Sequence, residues 1–132
     1  MNNYLIIINS SSGTGESEQI YLDYLLPKLE IMNINFTVQK DDASLDLIDL
    51  CGINYIIIVG GDGTIVPVIS LLYCNNYNIP ICQIPAGSGN GLCKSILFEL
   101  GEEYSINNAV SLINSFNDKK INLFDVFLKK NR

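Results

Sequence analysis

The sequence predicts a three-layer α/β fold, in which helices cover both faces of a mostly parallel sheet. Short runs of β-branched and apolar residues alternate with segments whose apolar residues recur every three or four positions. The length of 132 residues fits a single domain of this architecture. Because parallel strands need long crossover connections, a regular alternation of strand and helix favours a parallel sheet over an antiparallel one.

In the first half of the chain, three strand patterns enclose two helical segments. The strands are predicted at residues 4–9 (YLIIIN), 35–40 (NFTVQK) and 55–59 (YIIIV). The first helix is predicted over residues 16–32, and Pro27 is expected to bend or interrupt it, because proline donates no backbone hydrogen bond. Ser44 is a favourable N-cap residue and predicts a short helix that ends at Asp49.

The second half of the chain continues the alternation. A helix is predicted over residues 65–73, in which Pro67 is tolerated because it falls in the first turn. Two more strands are predicted at residues 79–84 and 121–128, and two more helices at residues 91–97 and 105–116. Ser105 is expected to cap the last of these helices.

The composition excludes several classes of function. Eight basic and 14 acidic side chains give a net charge of 8 − 14 = −6, and no long basic stretch is present, so nucleic acid is not an expected partner. Histidine is absent, which excludes sites that need a histidine base or metal ligand. No apolar run approaches the ~18 residues of a membrane span, and the first residues lack the basic segment of a secretion signal. These observations predict a soluble, cytoplasmic protein whose four cysteines are reduced thiols.

Three of the predicted strands end in loops of small residues, and each loop is followed by a predicted helix. The loops are NSSSGTG at residues 9–15, GGDGT at residues 60–64 and GSGN at residues 87–90. In a parallel sheet the carboxyl ends of the strands share one edge, along which ligands bind. Glycine permits close backbone approach, and the N–H groups of helix N-termini bind phosphate. The loops therefore predict a phosphate site, although none contains the Gly-Lys-Ser or Gly-Lys-Thr of a Walker A motif.

Asp62 stands between two glycines of the middle loop, and two interpretations of it remain open. In the functional one, its carboxylate binds Mg²⁺ or accepts a proton from an attacking hydroxyl. In the structural one, Asp62 is a helix N-cap or Asx-turn residue whose carboxylate accepts a hydrogen bond from the N–H of Thr64 or Ile65. The local spacing favours neither.

Two motifs, in their order along the chain, resemble the catalytic domain shared by sphingosine kinases and diacylglycerol kinases. They are GGDGT at residues 60–64 and PAGSGNGL at residues 85–92. The opening loop NSSSGTG is similar to the NPxSGxG of that family, and the segment IYLDYLLPKLEIMNINFTV, with Pro27, resembles its first helix and second strand. PAGSGN is more similar to the sphingosine kinases, because diacylglycerol kinases tend to carry Leu-Gly-Thr there. The resemblance covers essentially the whole chain.

The resemblance implies an ATP-dependent lipid kinase that transfers the γ-phosphate to the hydroxyl of a sphingoid base or a diacylglycerol-type lipid. Asp62 is implied to be the base that accepts the proton of this hydroxyl. The residues implied to bind the nucleotide are Asn9, Ser10, Ser11, Gly13, Gly60, Gly61, Gly63, Thr64, Gly87, Ser88, Gly89 and Asn90. Mg²⁺ is expected to be held mainly through the ATP phosphates, and no protein ligand for it is assigned. A lipid substrate implies peripheral contact with a membrane surface.

The resemblance also divides the chain into two parts. Residues 1–120 correspond to the ATP-binding domain, and residues 121–132 resemble the start of a strand that enters a second, β-rich, lipid-holding domain. Asp125 matches an aspartate at that junction. The chain is therefore expected to be a fragment or a truncated form without the second domain. Such a chain is expected to be able to self-associate through its last strand.

Several positions depart from the family pattern, and they support an alternative function. Ser10 replaces a proline, Asp41 stands where a threonine is usual, and Val66 and Pro67 replace a polar residue and a glutamate that helps to hold the nucleotide. The alternative is a degenerate module that binds nucleotide weakly or not at all and acts through a partner. A third hypothesis, a relative of the NAD kinases, is disfavoured because those enzymes share GGDGT but carry a different later motif. Lys94, after the third loop, is expected to be a surface lysine and not a phosphate ligand.

Overall fold

The structure is a computed structural model and describes residues 3–9, 15–40, 50, 52–86 and 91–113. The described strands are β1 (Asn3–Ile8), β2 (Asn35–Lys40), β3 (Tyr55–Gly60) and β4 (Ile81–Pro85). The described helices are α1 (Glu16–Ile20), α2 (Leu26–Met32), α3 (Asp62–Cys74), α4 (Gly91–Glu99) and α5 (Ile106–Ser111), with a π-helical segment (Tyr21–Leu25) between α1 and α2. The helix predicted over residues 44–49 and the strand predicted over residues 121–128 lie outside the described residues.

The four strands form one parallel sheet in the order β2-β1-β3-β4. In its register Ile6 of β1 lies opposite Val38 of β2 and opposite Ile57 of β3, and Ile57 in turn lies opposite Cys82 of β4. This arrangement confirms the predicted parallel α/β sheet. Because β1, β3 and β4 are neighbours and run in the same direction, the residues that follow them meet at one edge of the sheet.

Two hydrophobic cores, one on each face of the sheet, confirm the three-layer architecture. Successive side chains of a strand point to opposite faces, so each strand contributes to both cores. The first core joins alternate strand residues to the α1–α2 region and to α5 through Ile6, Ile57, Leu25, Leu29, Ala109 and Val110. The second core joins the other strand residues to α3 through Ile7, Ile58, Ile65, Val68, Ile69 and Leu72.

Pro27 interrupts the first helical segment, as the sequence predicts. It lies in the first turn of α2, directly after the π-helical segment. At the junction the backbone N–H of Leu26 donates to the carbonyl of Tyr21, five residues earlier, which is the π-helical spacing. Proline has no N–H to donate to the carbonyl of Asp23, and its ring crowds that carbonyl, so a wider turn at this point relieves the conflict.

The predicted start of the third helix is wrong. α3 begins at Asp62 and not at residue 65, so Pro67 lies inside the helix and not in its first turn. Glycine, aspartate and threonine have low helix propensity, and a sequence pattern therefore favours a loop at Gly-Asp-Gly-Thr. The segment is nevertheless helical from Asp62 onward. The helix that it begins packs on the sheet through an apolar face that is almost completely buried, formed by Ile65, Val68, Ile69 and Leu72.

The ends of β4 and α4 differ from the predictions by only one or two residues. α5 ends at Ser111, before the predicted end at residue 116, and residues 114–116 lie outside the described residues. Ser105 is the N-cap of α5, and its Oγ accepts a hydrogen bond from the N–H of Asn108 at 3.0 Å. In the described part of the chain Cys74 and Cys82 form no disulfide bond, and the Sγ of Cys82 donates to the carbonyl of Ala109. Within that same part, no helix is both long enough and apolar enough to span a bilayer.

Candidate functional site

The candidate site lies where β1, β3 and β4 end. Asn9 directly follows β1, Gly60 is the last residue of β3, and Gly61 and Thr64 lie at the start of α3. The structure therefore brings together Asn9, Gly60, Gly61, Gly63 and Thr64, as the sequence predicts. The other predicted nucleotide-binding residues lie outside the described residues; they are Ser10, Ser11, Gly13, Gly87, Ser88, Gly89 and Asn90.

A side-chain hydrogen bond joins the first loop to the second. Asn9 Nδ2 donates to Thr64 Oγ1 at 2.7 Å, and the bond is partly buried. The backbone N–H of Asn9 donates to the carbonyl of Val59 at 3.0 Å, which continues the pairing of β1 with β3. The short distance and the partial burial fix the direction of the Asn9 amide, and with it the first residue of the opening loop.

Gly60 lies where the two loops pack closely and leave little room for a side chain. A Cβ at this position would lie 3.0 Å from Thr64 Oγ1 and 3.1 Å from Asn9 Cβ. Few real Cβ atoms have contacts this short, so an alanine here would require Asn9 or Thr64 to move by a few tenths of an ångström. The requirement for glycine at this position therefore comes from close packing of the two loops, and not from an unusual backbone angle.

The start of α3 tests one part of the structural interpretation of Asp62, its assignment as the helix N-cap. Gly61 is the N-cap residue, with an extended backbone and no side chain to cap the helix, and Asp62 is the first helical residue. The prediction that Asp62 is the N-cap is therefore wrong, whereas its alternative, an Asx-turn residue, stays a prediction. The first N–H groups of a helix have no partner within it, so this glycine-rich start offers backbone donors at the edge of the sheet.

A residue that sequence reasoning missed, Gln83 of β4, also contacts the middle loop. Its Nε2 donates to the carbonyl of Gly60 at 2.9 Å, and the side chain is 2% exposed. The backbone N–H of Ala86 approaches the same carbonyl at 3.4 Å. The available signal was a single polar residue inside the otherwise apolar strand ICQIP, since a buried amide requires a hydrogen-bond partner.

Lys94 lies on α4 with its Nζ 5.1 Å from the centroid of the Tyr104 ring. This distance is within the range of a cation–π contact. Lys94 is exposed, which agrees with the prediction of a surface lysine.

A polar cavity of about 420 Å³ lies at the opposite edge of the sheet. It is lined by residues at the start of β1 and β2 and before β3, namely Asn3, Tyr4, Asn35, Phe36, Thr37, Gly52 and Ile53. Burial, together with the neighbouring Tyr55, raises the pKa of Tyr4, whose ring lies 4.9 Å from that of Tyr55. The cavity is thus separated from the glycine loops by the length of the strands, and it is not part of the candidate site.

The acidic residues of the described ranges form no metal centre. Among these residues, no group of three or more His, Cys, Asp or Glu side chains is close enough to hold a metal ion. The predicted arrangement, in which Mg²⁺ is held mainly by nucleotide phosphates, needs no such group.

Comparison with known proteins points to a kinase family. Residues 3–126 match the Diacylglycerol kinase catalytic domain. Sphingosine kinase 1 of Caenorhabditis elegans is 30% identical over 112 residues, which are 75% of this chain and 24% of that protein. Sphingoid long-chain bases kinase 1 of Arabidopsis thaliana is 34% identical over 122 residues, which are 83% of this chain and 16% of that protein. Sphingosine kinase 1 of Homo sapiens is 26% identical over 114 residues, which are 78% of this chain and 30% of that protein.

The chain spans less than a third of the length of the curated relatives that it matches. The matched region includes every candidate site residue, from Asn9 to Asn90.

Proposed function

Since the chain belongs to the family of the diacylglycerol kinase catalytic domain, we propose that it is the ATP-binding part of a lipid kinase. The proposed reaction transfers the γ-phosphoryl group of ATP to the hydroxyl of a lipid. A sphingoid base is the preferred acceptor, because the relatives described above are named as kinases of sphingosine or of sphingoid long-chain bases. The lipid is proposed to be held by a second, β-rich domain that follows residue 120, at a membrane surface.

The observation that carries this proposal is the close packing of Asn9, Gly60 and Thr64. The two loops approach each other so closely that a Cβ at Gly60 would fit only if Asn9 or Thr64 moved by a few tenths of an ångström. The hydrogen-bonded side chains of Asn9 and Thr64 lie across the junction of the loops. This arrangement fits a phosphate group, since it combines an amide, a hydroxyl and a glycine-rich helix start on one edge of a parallel sheet. An apolar ligand would offer no acceptor to the backbone N–H groups of this helix start.

In the proposed complex, each part of the site has its own role. Asn9 and Thr64 orient the phosphates through their side chains, and Gly61 and Gly63 donate backbone N–H groups. Mg²⁺ bound with the nucleotide would supply positive charge that offsets the charge of the phosphates. The oxygen of the lipid hydroxyl bonds to the γ-phosphorus, and Asp62 accepts the proton of this hydroxyl. At the same time the bond between the γ-phosphorus and the oxygen that leaves with ADP breaks. The loop residues Ser10, Ser11, Gly13, Gly87, Ser88, Gly89 and Asn90 are proposed to surround the remainder of the nucleotide phosphates.

The alternative function, a module that binds nucleotide weakly and acts through a partner, has one supporting observation. Val66 and Pro67 lie on the exposed side of α3, and Val66 is 43% exposed. Apolar side chains at these positions offer no hydrogen bond to a nucleotide, and the proline also lacks a backbone donor. The two functions therefore differ in the affinity of the chain for Mg-ATP.

Thermal unfolding with and without Mg-ATP tests the proposal. A ligand at 100 times its Kd stabilises a protein by about 2.7 kcal/mol, which raises the Tm of a domain of this size by several degrees. We expect such a shift, dependent on Mg²⁺, in the wild type and in Asp62→Asn, because Asp62 is assigned to proton transfer and not to nucleotide binding. Thr64→Val is expected to reduce the shift.

Thr37→Val is the matched control, because Thr37 is exposed on β2 at the opposite edge of the sheet. It is expected to keep the full shift. If millimolar Mg-ATP leaves the Tm of the wild type unchanged, the nucleotide site is not functional in this chain, and the partner-binding alternative replaces the kinase.

A further inference from the structure

Gln83 is a buried amide in an apolar strand, and its burial needs an explanation. The side chain is 2% exposed, and the other residues of β4 are isoleucine, cysteine, isoleucine and proline. Burying an amide in such surroundings is unfavourable unless the amide forms hydrogen bonds. The Nε2 of Gln83 donates to the carbonyl of Gly60 at 2.9 Å, and thus reaches the last residue of β3.

The sheet itself holds this carbonyl only weakly. Gly60 lies opposite Pro85 in the register of β3 and β4, and the next residue, Ala86, supplies the backbone donor at 3.4 Å. A typical backbone hydrogen bond measures about 2.9 to 3.0 Å, so the Gln83 amide provides the shorter of the two bonds. A carbonyl oxygen has two lone pairs and accepts both donors.

The direction of the Gly60 carbonyl determines the direction of the next N–H group. The peptide bond is planar and trans, so the N–H of Gly61 points opposite to the carbonyl of Gly60. The carbonyl points toward β4, and the N–H of Gly61 therefore points toward the β1 side, where Asn9 begins the first loop. Within the described residues, no backbone carbonyl accepts a hydrogen bond from this N–H.

Glycine stands on both sides of this peptide unit, at positions 60 and 61. Glycine has access to a much larger range of backbone angles than other residues, so a peptide between two glycines can rotate at little steric cost. An N–H group contributes less binding free energy to a phosphate if its direction is not fixed before binding, because the peptide must then be ordered when the ligand binds.

We propose that Gln83 is a positioning residue, which holds the Gly60–Gly61 peptide so that the N–H of Gly61 faces the phosphates of the nucleotide. The inference rests on the proposed nucleotide binding and adds a specific residue to it. Gln83 acts through Gly60 and does not contact the nucleotide itself. Its loss leaves the polar groups of the loop in place but allows the peptide to take more than one orientation.

Gln83→Met tests the inference, because methionine has a similar length and volume but no amide donor. We expect the protein to stay folded and the Kd for Mg-ATP to rise about tenfold. A change of this size corresponds to the loss of one well-oriented hydrogen bond, the one from the N–H of Gly61 to a phosphate. Ile81→Val is the matched control, since Ile81 is two residues earlier on β4 and is buried on the same face. It is expected to change stability slightly and the Kd not at all. An unchanged Kd in Gln83→Met would overturn the proposal.

Gln83→Glu gives a second readout that a purely structural role does not predict. A protonated glutamic acid donates to the Gly60 carbonyl, whereas the carboxylate repels it, and burial raises the pKa of such a carboxyl. The affinity of Gln83→Glu for Mg-ATP, relative to the wild type at each pH, should therefore fall as the pH rises from about 5.5 to about 8. A ratio that does not change with pH would contradict the assigned bond.

Failure of the proposed function and failure of this inference are distinguished by NMR without nucleotide. The nuclear Overhauser effect between Hα of Gly60 and the amide proton of Gly61 reports the orientation of the peptide between them. We expect it to weaken in Gln83→Met and to remain unchanged in Ile81→Val, whether or not the wild type binds Mg-ATP. An identical signal in Gln83→Met and the wild type would show that Gln83 does not hold this peptide.

Discussion

The side-chain amide of Asn9 donates a 2.7 Å hydrogen bond to the hydroxyl of Thr64, although the two residues are 55 positions apart in the sequence. The pair joins the ends of β1 and β3 at the edge where the candidate phosphate site lies. Both residues of the pair also pack against Gly60. The site is therefore held together by contacts between loops and not by any single motif.

A double-mutant cycle on Asn9 and Thr64 should reveal this contact. Thr64→Val and Asn9→Ala are each expected to destabilise the protein by about 1 kcal/mol, and the coupling between them should also be about 1 kcal/mol. Urea unfolding of the two single variants and the double variant measures the coupling. Thr64→Ser keeps the hydroxyl and should retain most of the stability. Additive effects in the double variant would mean that the bond contributes nothing to stability.

Gly60 and Gly63 should respond in opposite ways to the same substitution. Gly60→Ala places a Cβ against Thr64 and Asn9 and is expected to cost about 1–3 kcal/mol, as overpacking does. Gly63→Ala meets no atom within 4 Å and lies in the first turn of α3, so its higher helix propensity should add up to about 1 kcal/mol. Denaturant midpoints of the two variants provide the comparison. Equal stability of the two variants would argue against the close packing at Gly60.

Asp62→Asn is expected to remove turnover but not folding. General-base catalysis contributes about 10²–10⁴-fold to a rate, and asparagine cannot accept the proton. Transfer of labelled phosphate from ATP to sphingosine in detergent micelles, by a protein that also carries the proposed lipid-holding domain, measures the effect, with the Tm as the test of folding. Asp23→Asn is the control, because Asp23 is an exposed carboxylate on the first helical segment, where it accepts a hydrogen bond from Gln19. Full activity in Asp62→Asn would reject the assignment of Asp62 as the base.

Ser17→Ala should stabilise the protein. Ser17 is 1% exposed, and its Oγ has no hydrogen-bond partner among the described residues. Removal of an unsatisfied buried hydroxyl in a helix is expected to gain about 1 kcal/mol, part of which comes from helix propensity. Ser70→Ala on the exposed side of α3 measures the propensity part alone. A loss of stability in Ser17→Ala would indicate that the hydroxyl is satisfied in solution.

The sheet was predictable from the sequence for a clear reason. In a parallel sheet that is covered on both faces, strands are continuous apolar runs, and YLIIIN and YIIIV have this pattern. The position of the middle glycine motif at the carboxyl end of β3 was predictable because its small residues contrast with the apolar run before them. The small-residue segments at residues 10–14 and 87–90 lie outside the described residues. The start of α3 was not predictable, since its first residues favour a loop by themselves, and the contacts that hold this helix on the sheet come from later residues such as Ile65 and Ile69.

Gln83 shows why part of the site escapes sequence reasoning. Its partner is a backbone carbonyl on the neighbouring strand, 23 residues earlier in the chain. Every residue except proline has the same backbone groups, so no residue type marks this carbonyl as an acceptor. The register of β3 against β4 has to be known before the bond can be inferred.

The strand order has a consequence for the way the protein folds. β1 and β3 are neighbours in the sheet, but β2 and the segments around it lie between them in the sequence. The backbone and side-chain hydrogen bonds of Asn9 form only when these two strands pair. Pairings so distant in sequence form slowly, because a long loop must close before any contact compensates for its entropy. A ligand held by both loops would therefore find its binding site only in chains that have nearly completed folding. Such a ligand would slow unfolding and leave the rate of refolding almost unchanged.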